Sequence, residues 1–318
     1  MSDLMTLIIK GIEEKKTVNQ ICEELNLTRK KLYYYMMLLK NRGYAYKSKY
    51  YCNGEILYDY DSFQSINMYN NSDNLEVLMG QENTTLKTLV ISDLHFGNEF
   101  ERIDLINDIY DYAIRNDIHI ILCCGDLLDG TFTHGRQIIE GVKQIEYFIK
   151  NYPYDKNIIT LSVLGDHDFS ILREYNYDPR EIIMRHRHDI GIGGYNYSYV
   201  RIKKEIISLH HHLNGSKKTN NGKITLNGHL HTFSTRFINQ NNLDIVVPAL
   251  CDINTVTPSA IEMCLDFESG KVKTVNLKQL MVINGNVVPV NEIEYMMKWP
   301  LTNAAEDVEV DNCKKLIL

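Results

Sequence analysis

Five times along this chain an apolar run of strand length ends in acidic or histidine side chains, and this recurrence restricts the fold more than any other feature. Leu89–Ile91 leads into Asp93 and His95. Ile118–Cys124 leads into Gly125-Asp126-Leu127-Leu128-Asp129, and Ile158–Leu164 into Gly165-Asp166-His167-Asp168. Ile206–Leu209 leads into His210-His211-His212, and Lys223–Leu226 into Asn227-Gly228-His229-Leu230-His231. Alternate side chains of a strand share a face, so Asp93 and His95 can enter one cleft. Carboxylate oxygens beside imidazole nitrogens suit a transition metal. Open α/β sheets place ligands at the carboxyl ends of their strands. The glycines before Asp126, Asp166 and His229 suit a sharp strand exit and close backbone approach.

In order and spacing these blocks resemble the calcineurin-like metallophosphoesterase superfamily: Asp-x-His, Gly-Asp-x-x-Asp, Gly-Asn-His-Asp/Glu, a lone His, then Gly-His-x-His. The likeness runs from about Leu86 to Leu277. It departs in the third block, where Asp166 stands in place of Asn and adds a negative charge. The resemblance implies a four-layer αββα sandwich and two divalent metal ions held by Asp93, His95, Asp126, Asp166, His210, His229 and His231. It puts Asp126 between the metals, Asp93, His95 and His231 on one, and Asp166, His210 and His229 on the other. His211 is the alternative to His210, because a one-residue shift of the strand end would exchange them. Such ions sit about 3.5–4 Å apart and share a bridging hydroxide as nucleophile. Mixed nitrogen and oxygen donors fit Mn first, then Fe, Zn, Ni or Co, ahead of Ca or Mg. By the same resemblance His167 is no ligand but a proton donor on the leaving-group side, oriented by Asp129. Gly130 follows Asp129 where phosphoprotein phosphatases carry Arg-Gly, which argues against that branch.

Residues 1–61 have a different character. Helical spacing predicts helices around Leu4–Ile12, over Val18–Leu25 capped by Thr17, and over Arg29–Asn41 capped by Thr28, with Gly43 as a C-cap. Tyr44–Tyr51 and Ile56–Tyr60 read as strands around an Asn53-Gly54 turn. Three helices and a hairpin resemble a winged helix-turn-helix. Between Leu25 and Gly54 there are basic residues at 29, 30, 31, 40, 42, 47 and 49 and no acid. Arg29, Lys30, Lys31 and Lys47 are accordingly candidate contacts to nucleic acid. The plainer reading is a solvated basic face on a helix that packs against the catalytic domain.

Residues 62–85 read as a polar linker with one short element near Leu75–Met79, residues 86–300 as the metallophosphoesterase domain, and 301–318 as a frayed tail. Helices are expected over Glu99–Arg115 and Gln137–Lys150, and mainly strands after Gly165. His134 reads as a solvent loop residue near the cleft mouth, Arg185–His188 as a phosphate-binding lid segment or equally a surface turn, and Cys123-Cys124 as core. Net charge is −7, so the chain as a whole is no basic nucleic-acid coat. Seven cysteines without a Cys-x-x-Cys pair, no basic leader ahead of an apolar run, and no apolar run beyond strand length suggest a reduced, cytoplasmic protein off the membrane.

The reading that follows is a dinuclear metal-dependent phosphodiesterase acting on nucleic acid. Its rivals are a small-nucleotide phosphodiesterase with a regulatory or dimerising N-terminal module, and a DNA-binding regulator with a degenerate esterase domain.

Overall fold

The computed structural model describes residues 3–42, 44, 46–60, 74–132, 135–212, 223–238, 242–253 and 257–297. Gly43, His134, most of the expected linker and the tail 301–318 lie outside these residues.

Local sequence sets the first three helices, α1 (Asp3–Glu13), α2 (Val18–Glu24) and α3 (Arg29–Asn41). Thr17 opens α2 through a reciprocal cap with Gln20, and the Thr28 hydroxyl accepts from the amide of Lys31 at the start of α3. β1 (Tyr46–Tyr51) and β2 (Ile56–Tyr60) form the expected antiparallel hairpin.

That hairpin is not a free wing. β1 pairs in parallel with β3 (Leu75–Leu78), and β3 pairs in parallel with β8 (Tyr197–Ile202). The sheet continues through β9 (Glu205–His210), β10 (Ile224–Asn227), β12 (Asn242–Val246) and β11 (Ser234–Ile238), eight strands in all. The N-terminal segment is thus built into the main sheet, and the end of the expected linker is one of its strands. The helices follow the hairpin inward. Ile8, Ile21, Leu32 and Leu39 are fully or almost fully buried in one apolar cluster with Tyr50, Ile56 and Tyr58 and with the core between the two sheets.

The second sheet has seven strands in the order β15-β14-β13-β4-β5-β6-β7. β4 (Thr85–Ile91), β5 (Ile120–Cys123), β6 (Ile159–Leu164) and β7 (Ile190–Tyr195) run parallel. β13 (Ala260–Glu268), β14 (Lys271–Ile283) and β15 (Asn286–Met296) are antiparallel. Alternation divides the strands cleanly. Val90, Ile120 and Leu122 face the eight-stranded sheet. Leu89, Ile91, Ile121 and Cys123 face the outer helices α4 (Ile103–Arg115), α5 (Lys143–Asn151), α6 (Asp166–Tyr175) and α7 (Pro179–His186).

Two expectations change. The segment after Gly165 is helical: Asp166 and Asp168 sit in the first turn of α6, and Asp178 caps α7 with Pro179 in its first turn. Among the described residues no helix follows β7, so the second outer helical layer of a four-layer sandwich has no counterpart there. No described helix is long and apolar enough to cross a membrane.

Candidate metal centre

The carboxyl ends of β4, β5 and β6 in one sheet and of β9 and β10 in the other meet at the same edge of the sandwich. Immediately past those ends the backbone turns hard. Asp93, His95, Asp126, His229 and His231 all have positive φ, between 46 and 71°. Non-glycine residues held there cost of order 1–3 kcal/mol each, and such strain collects at functional sites. The glycine before Asp126 also has positive φ, +99°. Gly165 is needed for a different reason: a Cβ there would lie 2.1 Å from Asp126 Oδ1 and 2.6 Å from the His211 ring.

Donor atoms gather in two main groups, and a third, His95, Asp126 and His167, overlaps both. Asp126, Asp166, His211 and His229 form one, and Asp93, His95 and His231 the other; within each group they lie within 4.8 Å of one another. In the first, His211 Nε2 is 2.9 Å from Asp126 Oδ2 and 3.1 Å from Asp166 Oδ1, and His229 Nδ1 is 3.4 Å from the same Asp166 oxygen. In the second, Asp93 Oδ1 is 3.3 Å from His231 Nε2 and 3.9 Å from His95 Nε2. Asp126 Oδ2 is also 3.8 Å from His95 Nε2, so this carboxylate stands between the groups as expected.

His210 is the sequence-predicted ligand that the structure does not bring in. β9 runs one residue further than expected and ends on His210, fully buried on the Asp244 side. The next residue, His211, turns into the cluster. Its Nδ1 is 2.7 Å from the carbonyl of Cys124, to which it can only donate, so Nε2 is the nitrogen that faces the carboxylates and can ligate once deprotonated.

The group fits a pair of metal ions. Asp93 Oδ1, His95 Nε2, Asp166 Oδ1 and His211 Nε2 are buried and make no hydrogen bond, although Asp166 faces His211 at 3.1 Å and Asp93 faces His95 at 3.9 Å. Polar atoms are rarely left this way, and these point at common centres rather than at partners. Burial draws His95 down to about 4, so its ring is neutral and able to ligate. Burial opposes charge on His211 too, but Asp126 and Asp166 hold it well above its ordinary value. Asp93 is buried and Asp166 half-buried, which would raise them, yet the surrounding histidines keep both carboxyls far below the usual range.

His167 lies beside these groups. Its Nδ1 is 2.6 Å from the backbone carbonyl of Asp129, its ring meets His95 edge-on at 4.6 Å, and Phe132 covers it at 4.8 Å. Asp129 therefore holds His167 through its backbone carbonyl. The Asp129 carboxylate accepts from Asn98 at 2.8 Å and lies 3.7 Å from His95 Nδ1.

Asp168, which the sequence reading passed over, accepts from the amides of Leu127, Leu128 and Gly165 and so ties the second block to the third. Its signal was visible as a second acid two residues after Asp166. Of the expected nucleic-acid contacts, Arg29 is engaged internally, with Asn19 and the carbonyl of Lys156. Lys30, Lys31 and Lys47 have no ion-pair partner among the described residues.

Several solved structures are similar over about two thirds of this chain. Vps29 of Chaetomium thermophilum is 12% identical with a TM-score of 0.40, over 67% of this chain and 97% of its own. The nuclease MPE of Pseudomonas putida is 13% identical with a TM-score of 0.35, over 64% and 87%. The calcineurin-like phosphoesterase YfkN of Bacillus subtilis is 10% identical with a TM-score of 0.33, over 67% and 90%. No curated protein matches. The model of the calcineurin-like phosphoesterase family matches residues 86–249, just over half the chain and all five strand-end blocks, and on that match the chain belongs to this family.

Proposed function

We propose that this chain is a dinuclear metal-dependent phosphodiesterase whose substrate is nucleic acid. The observation that carries the diester reading is the charge of the centre. Among the described residues its three carboxylates, Asp93, Asp126 and Asp166, pair only with histidines and with no Lys or Arg. With two divalent ions the formal sum is about +1, and about 0 once an ionised water is bound, so the centre carries little positive charge and favours a singly charged diester over a doubly charged monoester.

Bound ions of this kind supply an ionised water at neutral pH and neutralise the phosphate oxygens. Mn suits the mixed donors best, and Fe, Zn, Ni and Co remain possible ions. The chain's own residues do the rest. Asp126 holds the two halves of the site in register. His211 is fixed in one tautomer by the Cys124 carbonyl. His167, anchored on the Asp129 carbonyl, presents its other nitrogen to the cleft, where it can protonate the leaving oxygen.

Nucleic acid as substrate is supported by the unpaired lysines of α3 and β1. Building the hairpin into the sheet favours a second reading, a small-nucleotide diesterase whose N-terminal segment is structural. The test is hydrolysis of bis(p-nitrophenyl) phosphate and p-nitrophenyl phosphate with added Mn, beside single- and double-stranded DNA and RNA. Preference for the monoester would overturn the diester reading. Turnover of the aryl diester and of small nucleotides, with every polymer left intact, would replace nucleic acid by the second reading.

A further inference from the structure

A groove separates α3 from the end of α5 and from α7, and it is distinct from the metal centre. Two adjoining cavities of about 480 and 600 Å³ form it, sharing Met37, Arg185 and His188. Asp189, at its floor, precedes β7, whereas the metal centre lies past the carboxyl ends of the parallel strands. The two sites are thus at opposite ends of β6 and β7, separated by about 20 Å of strand at roughly 3.3 Å per residue.

The lining has two components. One is cationic: Lys40 in the first cavity, Lys30 and Lys150 in the second, and Arg185 in both. The three lysines are exposed and have no ion-pair partner among the described residues, while Arg185 is paired with Glu181. Lys30 and Lys40 are ten residues apart on α3, about 15 Å along the axis at 1.5 Å per residue. Lys30 and Lys40 are thus too far apart to converge on one phosphate. The other component is apolar and flat: Tyr34 and Tyr154 are 55 and 58% exposed.

The floor is preformed. Tyr33 of α3 stacks on His188 with ring centroids 3.6 Å apart. Arg187 is buried, paired with Asp189 at 2.6 Å, and donates to the carbonyls of Tyr152 and Pro153. These contacts fix both walls before any ligand arrives, which lowers the ordering cost of binding.

We propose that this groove binds single-stranded nucleic acid, with Lys30, Lys40 and Lys150 on the phosphates and Tyr34 and Tyr154 stacked on bases. Line charge with interspersed aromatic faces is the chemistry that tracks a single strand. A duplex keeps its bases stacked on each other and could use only the lysines. The groove is a holding site away from the chemistry, and it deepens the nucleic-acid reading of the metal centre, on which its biological sense rests.

The experiment measures binding of a fluorescent oligodeoxythymidylate to the full chain by anisotropy across a salt series, and bis(p-nitrophenyl) phosphate hydrolysis in parallel. Lys40→Glu with Lys150→Glu weakens binding by at least about tenfold and lowers the slope of log affinity against log salt by about 1.4, two phosphate contacts at about 0.7 each. Tyr34→Ala and Tyr154→Ala each weaken single-strand binding by roughly tenfold and leave duplex binding unchanged. Absence of oligonucleotide affinity at low salt, or equal losses for duplex and single strand in the tyrosine variants, overturns the proposal. The aryl-diester rate separates the two claims: a chain that hydrolyses the small diester but binds no oligonucleotide lacks this site and keeps its diesterase reading.

Discussion

His167 brings a ring nitrogen within 4.8 Å of donor atoms on His95 and Asp126, close enough to ligate as well as to donate a proton. Its Nδ1 is anchored on the Asp129 carbonyl, and a residue outside the two main donor groups is better used on the leaving oxygen. His167→Ala is therefore expected to keep two metal ions per chain and to lose about 10²–10⁴-fold in turnover of a diester with a poor leaving group. Metal analysis beside the rate decides it; a variant with one ion would make His167 a ligand. The neighbouring histidines give a sharper contrast. His211→Asn is expected to lose one of the two ions and His210→Asn to keep both, as read by metal content of the purified proteins. Three consecutive histidines left this choice open in the sequence, because strand ends are uncertain by a residue or two and each shift reverses the face. The other six candidate ligands, which the structure does gather, were legible, since each block carries its own spacing. Asp129 was legible as a partner of His167, but no pattern reveals that the contact runs through its carbonyl.

At the scale of elements, the site depends on strands that end where the backbone can turn and another backbone can approach. Gly165 closes β6 against Asp126 and His211 with no room for a methyl group. Gly165→Ala should cost about 1–3 kcal/mol by overpacking and should weaken metal binding, because what must move is Asp126 itself. Thermal unfolding with and without Mn measures both; an unchanged midpoint in the two conditions would mean that the strand end yields more easily than its contacts suggest. Periodicity and caps were enough to find α2, α3 and the central strands. They missed α6 and α7 because their apolar faces are narrow, although Asp178-Pro179 marks a helix start. They also missed β15, whose Pro289 reads as a strand breaker. It is tolerated here because β15 is an edge strand and Pro289 pairs with Leu280 at a break in register.

At the scale of the whole molecule, the N-terminal segment shows where local reading ends. Its helices and hairpin follow from nearby residues, but its docking depends on β3 and β8, the latter more than a hundred residues on, and pairing at that distance has no local signal. The metal centre joins the same two sheets. Asp93, His95, Asp126 and Asp166 come from the seven-stranded sheet, and His211, His229 and His231 from the eight-stranded one, so bound metal should hold the halves together. An ion present at a hundred times its dissociation constant adds about 2.7 kcal/mol to stability. This gain should depend on pH in a definite direction. Without metal, His211 and His229 are held above the ordinary imidazole value, His211 against its burial by Asp126 and Asp166, and His229 mainly by Asp166. Groups raised in this way stabilise the fold fully below about pH 6.5, their unfolded value, and the contribution is lost as pH rises through the folded value. Metal requires the same rings neutral, so its affinity rises over that interval as protons cease to compete. Asp93 and Asp166 are held low and stay ionised throughout, adding no slope there. The melting temperature with Mn should therefore exceed that with chelator by a margin that widens from pH 6 to pH 8. A margin that stays constant or is largest at pH 6 would mean that the histidines of the eight-stranded sheet do not bind the metal.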